Sequence, residues 1–394
     1  MKSIKRALLV TTVSGFVPQF EMSNVNILKE MGYEIHYATN YNTPSYGNDN
    51  KRLEDIGIIQ HQIDFTRSPF KTQNIKVFNQ LKSLMKTQHF DLIHCHTPMG
   101  GVMARLAARC TKTTPIIYTA HGFHFFKGAS IINWLFYYPI EKFLSRYTDQ
   151  QICINEEDYR LAKKKFHAKY VDYIPGVGIN INKINYDIDK KSKKNELEIP
   201  QNKKVLLSSG ELITRKNHET IIRSIAELKE KSVNSSSIQF HYIICGQGSL
   251  DAHLRKLTIK LNVSDCVSFL GYREDMMDIF QISDVFLFPS YQEGLPMALL
   301  EAMAYGIPVI CSDIRGNRDL MAASASQSLD YCNGGIIIKK ANDVSAYGEA
   351  INLLITDYTR MRTMGEWNRN RAKDFSKEQV EKCMRKIYSR HISV

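Results

Sequence analysis

Short apolar runs alternate with amphipathic stretches in two long series along this chain, and the alternation breaks once, at a polar stretch near the middle. The first series reads ALLVTTVS, a helical pattern over 19–31, YEIHYAT, a helical pattern over 74–88, DLIHCHT, a helical pattern over 100–111, PIIYTAH, and QICIN before a helical 156–167. Strands separated by helix-length segments pair in parallel, with the helices as crossovers. After VDYIPGVGI, residues 182–203 are polar, charged and without period, which reads as a linker. The second series gives VLLSSG, helix 217–231, FHYIICG, helix 249–261, VSFLG, helix 275–282, DVFLFPS, helix 296–304, IPVICSD, GGIIIK and helices through 343–374. The spacing predicts two doubly wound parallel-sheet α/β domains, over 1–178 and 204–375, joined by a linker at 179–203. A final helix within 376–394 could pack on either domain, the first included. The length of 394 residues suits two cores, at roughly 100–200 residues per domain. In such sheets ligands lie beyond the carboxyl ends of the strands, so functional residues belong in the loops after strands, facing a central cleft.

Composition narrows the function classes. With 43% hydrophobic and 23% charged residues, the chain falls outside the disordered and fibrous classes. No run of about 18 uncharged apolar residues occurs, and the opening MKSIKRALLVTTVSGF reaches Pro18 without a small-residue cleavage site. The expectation is a cytoplasmic protein without signal peptide or spanning helix. Eight scattered cysteines without a C-x-x-C pair read as reduced and structural. The net charge is +12, and residues 1–175 carry 22 Lys/Arg against 14 Asp/Glu. Solubility, nucleic acid and an anionic membrane surface all accommodate such an excess. Residues 129–149 mix Trp134, Phe136, Tyr137, Tyr138 and Phe143 with Lys142 and Arg146, just after Lys127, a composition of membrane interfaces and equally of a buried helix. Taken with the basic first half, it predicts peripheral contact with the inner face of a membrane. No nucleic-acid-binding motif is present, so no nucleic-acid partner is expected.

Three loops carry chemistry-bearing residues. In DVFLFPSYQEGLPMALLEAMAYGIPVICSD, residues 284–313, a strand ends at Pro289, a loop holds Glu293 and Gly294, and Pro296 opens a helix containing Glu301. A helix N-terminus after a glycine-containing loop favours phosphate. Glu293 could also cap that helix and Glu301 could be solvated. The surroundings of Glu301, ALLEAMAYG, are nonetheless apolar, and a pair of sugar hydroxyls would satisfy its carboxylate. In VLLSSGELITRKNHETII a strand ends at Gly210, and Arg215 and Lys216 precede a helix. Two cations there form a diphosphate clamp, or an exposed basic turn. In YTAHGFHFFKG a strand delivers His121 to a loop, where it could donate a hydrogen bond to a substrate hydroxyl or be an ordinary loop histidine; His124 follows two positions on. His94 and His96 share one face of a strand but lack a third metal ligand at a matching spacing, so they read as structural. Asp187 and Asp189 imitate a metal-binding D-x-D, yet lie in the charged linker.

The spacing of Glu293 and Glu301, with Gly294, Leu295 and Pro296 between them, resembles the E-x7-E signature of family 4 retaining glycosyltransferases. That resemblance implies the GT-B architecture of two Rossmann-like domains. It implies that Glu293 sits beside a donor sugar, that Glu301 holds the nucleotide's ribose hydroxyls, and that Gly294, Leu295 and Pro296 lie against the donor. It implies that Lys216 and an arginine bind the donor diphosphate; Glu211 stands where many members have that arginine, and Arg215 is the candidate replacement. It assigns His121 to the donor sugar, Gly15 to the loop where donor phosphate and acceptor approach, and Gly210, Gly246, Gly248, Tyr272 and Arg273 to the nucleotide's surroundings. TAHGFHFFKG, GELITRKN, DIRGNRDL and IPGVGI together resemble bacterial transferases that build capsular or exopolysaccharide units on a polyprenyl-diphosphate lipid. The implied activity is transfer of a sugar, with retention, from a UDP-sugar to a hydroxyl of a lipid-linked glycan, without a metal or other cofactor. A GT-B sugar-nucleotide epimerase and a basic nucleic-acid-binding protein are the rival readings.

Overall fold

A computed structural model describes residues 4–45, 50–184, 186–231, 240–322 and 330–392. The chain forms two compact units, one of Met1–Gly178 with Lys377–Val394, the other of Ile179–Ser376.

The first unit is built on a seven-stranded sheet. Its strands are β1 (Lys5–Val10), β2 (Tyr33–Thr39), β3 (Ile59–Gln62), β4 (Leu92–His96), β5 (Ile116–Ala120), β6 (Gln150–Cys153) and β7 (Tyr170–Tyr173). They are ordered β3-β2-β1-β4-β5-β6-β7 and parallel throughout. Ala7 to Val10 are wholly buried, as a central strand covered by helices on both faces requires. The winding direction reverses between β1 and β4, so the loops after these two strands diverge and leave a crevice at their carboxyl ends.

The final helix, Lys377–Ser389, belongs to this unit. Val380, Met384, Ile387 and Tyr388 form its buried stripe, packed against the helix Met22–Glu30. Arg390 continues the attachment with an ion pair to Asp172 at 2.6 Å.

The second unit repeats the plan with β8 (Lys204–Ser209), β9 (Phe240–Cys245), β10 (Val267–Gly271), β11 (Val285–Phe288), β12 (Val309–Ser312), β13 (Asp330–Cys332) and β14 (Gly335–Ile338). The order is β10-β9-β8-β11-β12-β14-β13, and only β13 runs antiparallel. Here the reversal lies between β8 and β11, whose loops carry Gly210–Lys216 and Glu293–Pro296.

Two sequence expectations change. Residues 179–203 are not a free linker but part of the second unit. Their helix Lys190–Glu196 is capped by Asp189, which accepts from the backbone N–H of Lys191 and Ser192, so the D-x-D imitation is a helix cap. Lys193 of that helix is buried and paired with Asp275 at 2.5 Å and Glu196 at 2.9 Å; its charge hid the helix's inward face from the hydrophobic pattern. The aromatic stretch forms a helix, Ile131–Leu144, that divides by face. Trp134, Tyr137 and Tyr138 pack on the first unit's core, whereas Ile131, Ile132 and Leu135 are 76%, 75% and 73% exposed. Among the described residues no helix is long and apolar enough to cross a membrane.

Candidate active site

In the second unit, Glu293 receives both cations of the β8 loop. Its Oε1 is 2.7 Å from Lys216 Nζ and 2.7 Å from Arg215 Nη1. The backbone makes this convergence possible. Asn217 adopts a left-handed conformation, and its side-chain amide donates to the carbonyls of Pro289 and Ala341, pinning the turn that bears Lys216 to the end of β11. The Tyr291 N–H donates to the Arg215 carbonyl, and Arg215 Nη1 donates to the Gln292 carbonyl. Lys216 Nζ also lies 4.8 Å from the centre of the Phe288 ring. Arg215 reaches Glu211 more loosely, at 3.9 Å, so Glu211 shares Arg215 with Glu293.

Pro296 caps the helix Met297–Ala304, and Leu295 is buried beneath the loop. Arg315 Nε donates to the Glu293 carbonyl, and next to it Gly316 allows the Gly294 carbonyl to approach so closely that a Cβ at position 316 would sit 2.2 Å from that oxygen. Glu301, by contrast, has no side-chain hydrogen bond or ion pair among the described residues. Its side chain opens to solvent by surface area, yet the surrounding protein pushes its carboxyl up to about 7. Water reaching that open side chain moderates the shift.

Other expected lining residues have different duties. A Cβ on Gly246 would fall 1.9 Å from the Gly210 carbonyl oxygen, and one on Gly248 would fall 2.4 Å from that of Leu212. These glycines therefore let the β9 loop press against the β8 loop, which supports the Lys216 turn from behind. Gly210 ties in through its N–H to the Cys245 carbonyl. Arg273 is committed to Asp275, at 2.7 and 2.5 Å, and to Glu196 at 3.1 Å; its role is to fasten the helix Lys190–Glu196. Tyr272 is 70% exposed.

In the first unit, the loop after β1 turns at Gly15, whose carbonyl accepts from the Gln19 N–H, and leads into a π-helical turn, Val17–Glu21. That turn buries Glu21 beside two histidines at the ends of β4 and β5. His96 Nδ1 lies 3.4 Å from Glu21 Oε1 and 3.2 Å from His121 Nε2, and His121 Nε2 lies 3.8 Å from Glu21 Oε1. Asn24 donates to the other Glu21 oxygen at 2.5 Å. Burial pushes the Glu21 carboxyl up to about 8 and the His121 imidazole down to about 4. His94 is structural: its two nitrogens meet the hydroxyls of Tyr388 and Thr119 at 2.7 and 2.8 Å. His124 packs on the Tyr137 ring at 4.7 Å.

Glu21, His96 and His121 are close enough together to hold a metal ion, a triad that the pairing of His96 with His94 along one strand does not disclose. A metal on His96 Nδ1 would force the imidazole's proton onto Nε2. That atom is buried and has no partner among the described residues, whereas a metal-ligating imidazole almost always gives its second N–H to an acceptor. The donor set does not suit a metal.

Comparison with known proteins places this arrangement. Residues 5–155 match the family model for "Glycosyl transferase 4-like" proteins, and residues 189–371 match that for "Glycosyl transferases group 1". The chain is 35% identical over 395 residues to the putative glycosyltransferase EpsD of Bacillus subtilis, covering 99% of this chain and 98% of that one. It is 28% identical over 313 residues to an Escherichia coli UDP-Gal:alpha-D-GlcNAc-diphosphoundecaprenol alpha-1,3-galactosyltransferase, with 77% of each chain covered. Among solved structures, Anabaena HepE in complex with UDP and glucose superposes with a TM-score of 0.75 at 18% identity, over 98% of this chain and 100% of that one. With two doubly wound units and a Glu293–Glu301 segment clasped by Lys216 and Arg215, the chain belongs to the family 4-type glycosyltransferases of the GT-B fold.

Proposed function

We propose that this glycosyltransferase moves a sugar from UDP to a hydroxyl of a polyprenyl-diphosphate-linked glycan, with retention and without a metal, in the synthesis of a capsular or exopolysaccharide. The observation that carries the donor reading is Glu293 held by Lys216 and Arg215 at 2.7 Å each, beside a Glu301 with no side-chain hydrogen bond or ion pair among the described residues. When the nucleotide binds, its diphosphate takes over the two cations, whose charge stabilises the departing group in place of a metal. Glu301 receives the ribose hydroxyls, and Glu293 turns to the sugar. In the first unit His121 addresses a sugar hydroxyl. UDP as the nucleotide is supported by the UDP-bound relative of the same fold and by the UDP-Gal-dependent one, and the lipid-linked acceptor by the diphosphoundecaprenol substrate of the latter.

Contact with an anionic membrane surface fits that acceptor. Ile131, Ile132 and Leu135 are exposed on the helix Ile131–Leu144, and Phe136 of the same helix lies 5.3 Å ring to ring from Phe70, which is 78% exposed. Apolar side chains beside Lys71 and Lys127 are the composition of an interfacial anchor.

The test is a thermal-shift screen of UDP-, GDP- and ADP-sugars on the parent and on Glu301→Ala. UDP-sugars are expected to raise the parent's midpoint and to have much less effect on the variant. No stabilisation of the parent by any nucleotide sugar, or an identical response in the variant, sinks the site. Conversion of a UDP-sugar to another UDP-sugar without acceptor would sink transfer to a glycan.

A further inference from the structure

The imidazole of His121 has two nitrogens, and among the described residues only Nε2 has a hydrogen-bond partner. Nε2 points inward, 3.2 Å from His96 Nδ1. The surrounding bonds fix where the protons of this pair sit. His96 is 1% exposed, and its Nε2 has no hydrogen-bond partner among the described residues. On one side the ring of His94 lies over it, with centroids 4.1 Å apart, and Phe16 packs at 5.7 Å. A proton on Nε2 would be a buried N–H with nothing to donate to, which costs more than a buried bare lone pair. The His96 proton therefore belongs on Nδ1, where two acceptors converge.

That choice dictates the next one. A hydrogen on His96 Nδ1 cannot share a 3.2 Å gap with a second hydrogen on His121 Nε2, so His121 Nε2 must carry a lone pair. The protonation state of Glu21 does not alter this. Ionised, Glu21 Oε1 shares the Nδ1 hydrogen with His121; protonated, as burial favours, Oε1 brings a hydrogen of its own to the same centre, because Oε2 is occupied by Asn24. A neutral His121 with a bare Nε2 carries its proton on Nδ1, and Nδ1 has no protein partner among the described residues.

We propose that His96 and Glu21 are positioning residues that hold His121 as the Nδ1–H tautomer, so that His121 meets the sugar as a hydrogen-bond donor through Nδ1 while Nε2 stays an internal acceptor. The inference rests on the assignment of His121 to a sugar hydroxyl, and it explains why a β4 histidine and a π-turn glutamate are buried beneath that residue.

The full chain labelled with 15N-histidine tests it, because long-range 15N–1H spectra distinguish the tautomers without any sugar present; the His121 signal is identified by its loss in His121→Asn. The parent should show His121 protonated at Nδ1. His96→Asn, which keeps an amide donor where Nδ1 stood, should preserve that tautomer and kcat. His96→Leu should shift His121 toward Nε2–H and lower kcat about 10- to 100-fold with little change in donor KM. An Nε2–H His121 or an imidazolium in the parent overturns the proposal, as does an unchanged tautomer in His96→Leu. If His96→Leu does not fold, the parent spectrum alone decides. An Nδ1–H His121 whose replacement by Asn leaves transfer unimpaired would overturn instead the assignment of His121 to the sugar, and with it the use of the tautomer.

Discussion

A carboxyl that burial holds up at about 8, against an ordinary 4.5, binds its proton more tightly in the folded unit than in the unfolded chain. The stability Glu21 contributes this way is complete below pH 4.5 and is lost as pH rises through 8. The buried histidines act in the opposite sense: His94 and His121, held down at about 3 and about 4, contribute stability above 6.5 and lose it as pH falls toward those values. Glu21→Gln removes the first effect and keeps a carbonyl for Asn24. Its unfolding midpoint relative to the parent should therefore rise by several degrees between pH 5 and pH 8.5, while the acid-side slope of the histidines persists. A constant offset across that range would contradict a titrating Glu21. At this scale the sequence was uneven in what it disclosed. Glu293, Lys216 and Arg215 were legible because each sits at a loop position whose chemistry is local, after a strand and before a helix. Glu21 and the partnership of His96 with His121 were not, since three separate crossovers bring them together and no spacing within one segment announces it.

Element boundaries followed the apolar periodicity closely wherever a strand is buried on both faces, as in β1, β4 and β9. They failed where charge masks burial. Lys193 occupies an inward position of the helix Lys190–Glu196 and is neutralised there by Asp275 and Glu196, so a segment that reads as polar linker is packed structure. The glycines after β9 show the same limit: G-x-G reads as a ligand-facing turn, yet its tightness serves loop against loop. Gly246 has φ +147 and a Cβ there would collide with the Gly210 carbonyl. Gly246→Ala should accordingly push the β8 loop out of place, lowering the midpoint of thermal unfolding and weakening UDP-sugar binding about tenfold or more. Binding at parental affinity would show that the β8 loop does not depend on this contact.

Across the whole molecule, the two-domain organisation was legible from the repeated β-α series, and the ownership of the last helix was not, because an amphipathic helix does not name the surface that covers it. The second unit is one continuous segment with its own apolar core, running from Leu206 and Ile221 to Ile351 and Met364. Residues 179–376 alone should unfold cooperatively and retain part of the UDP-dependent thermal stabilisation. Loss of a cooperative transition in that fragment would show that its core is insufficient alone.

The return of Lys377–Ser389 to the first unit sets an order of assembly during synthesis. A ribosome delivers β1 to β7 first, then the whole second unit, and only afterwards the helix that covers the helix Met22–Glu30 and brings the Tyr388 hydroxyl to His94. Until then the nascent first unit exposes an apolar stripe and a polar group intended for burial, so it waits, incomplete, while its neighbour is translated and can already fold. A chain interrupted before Lys377 would hold a finished second unit and a first unit open to aggregation.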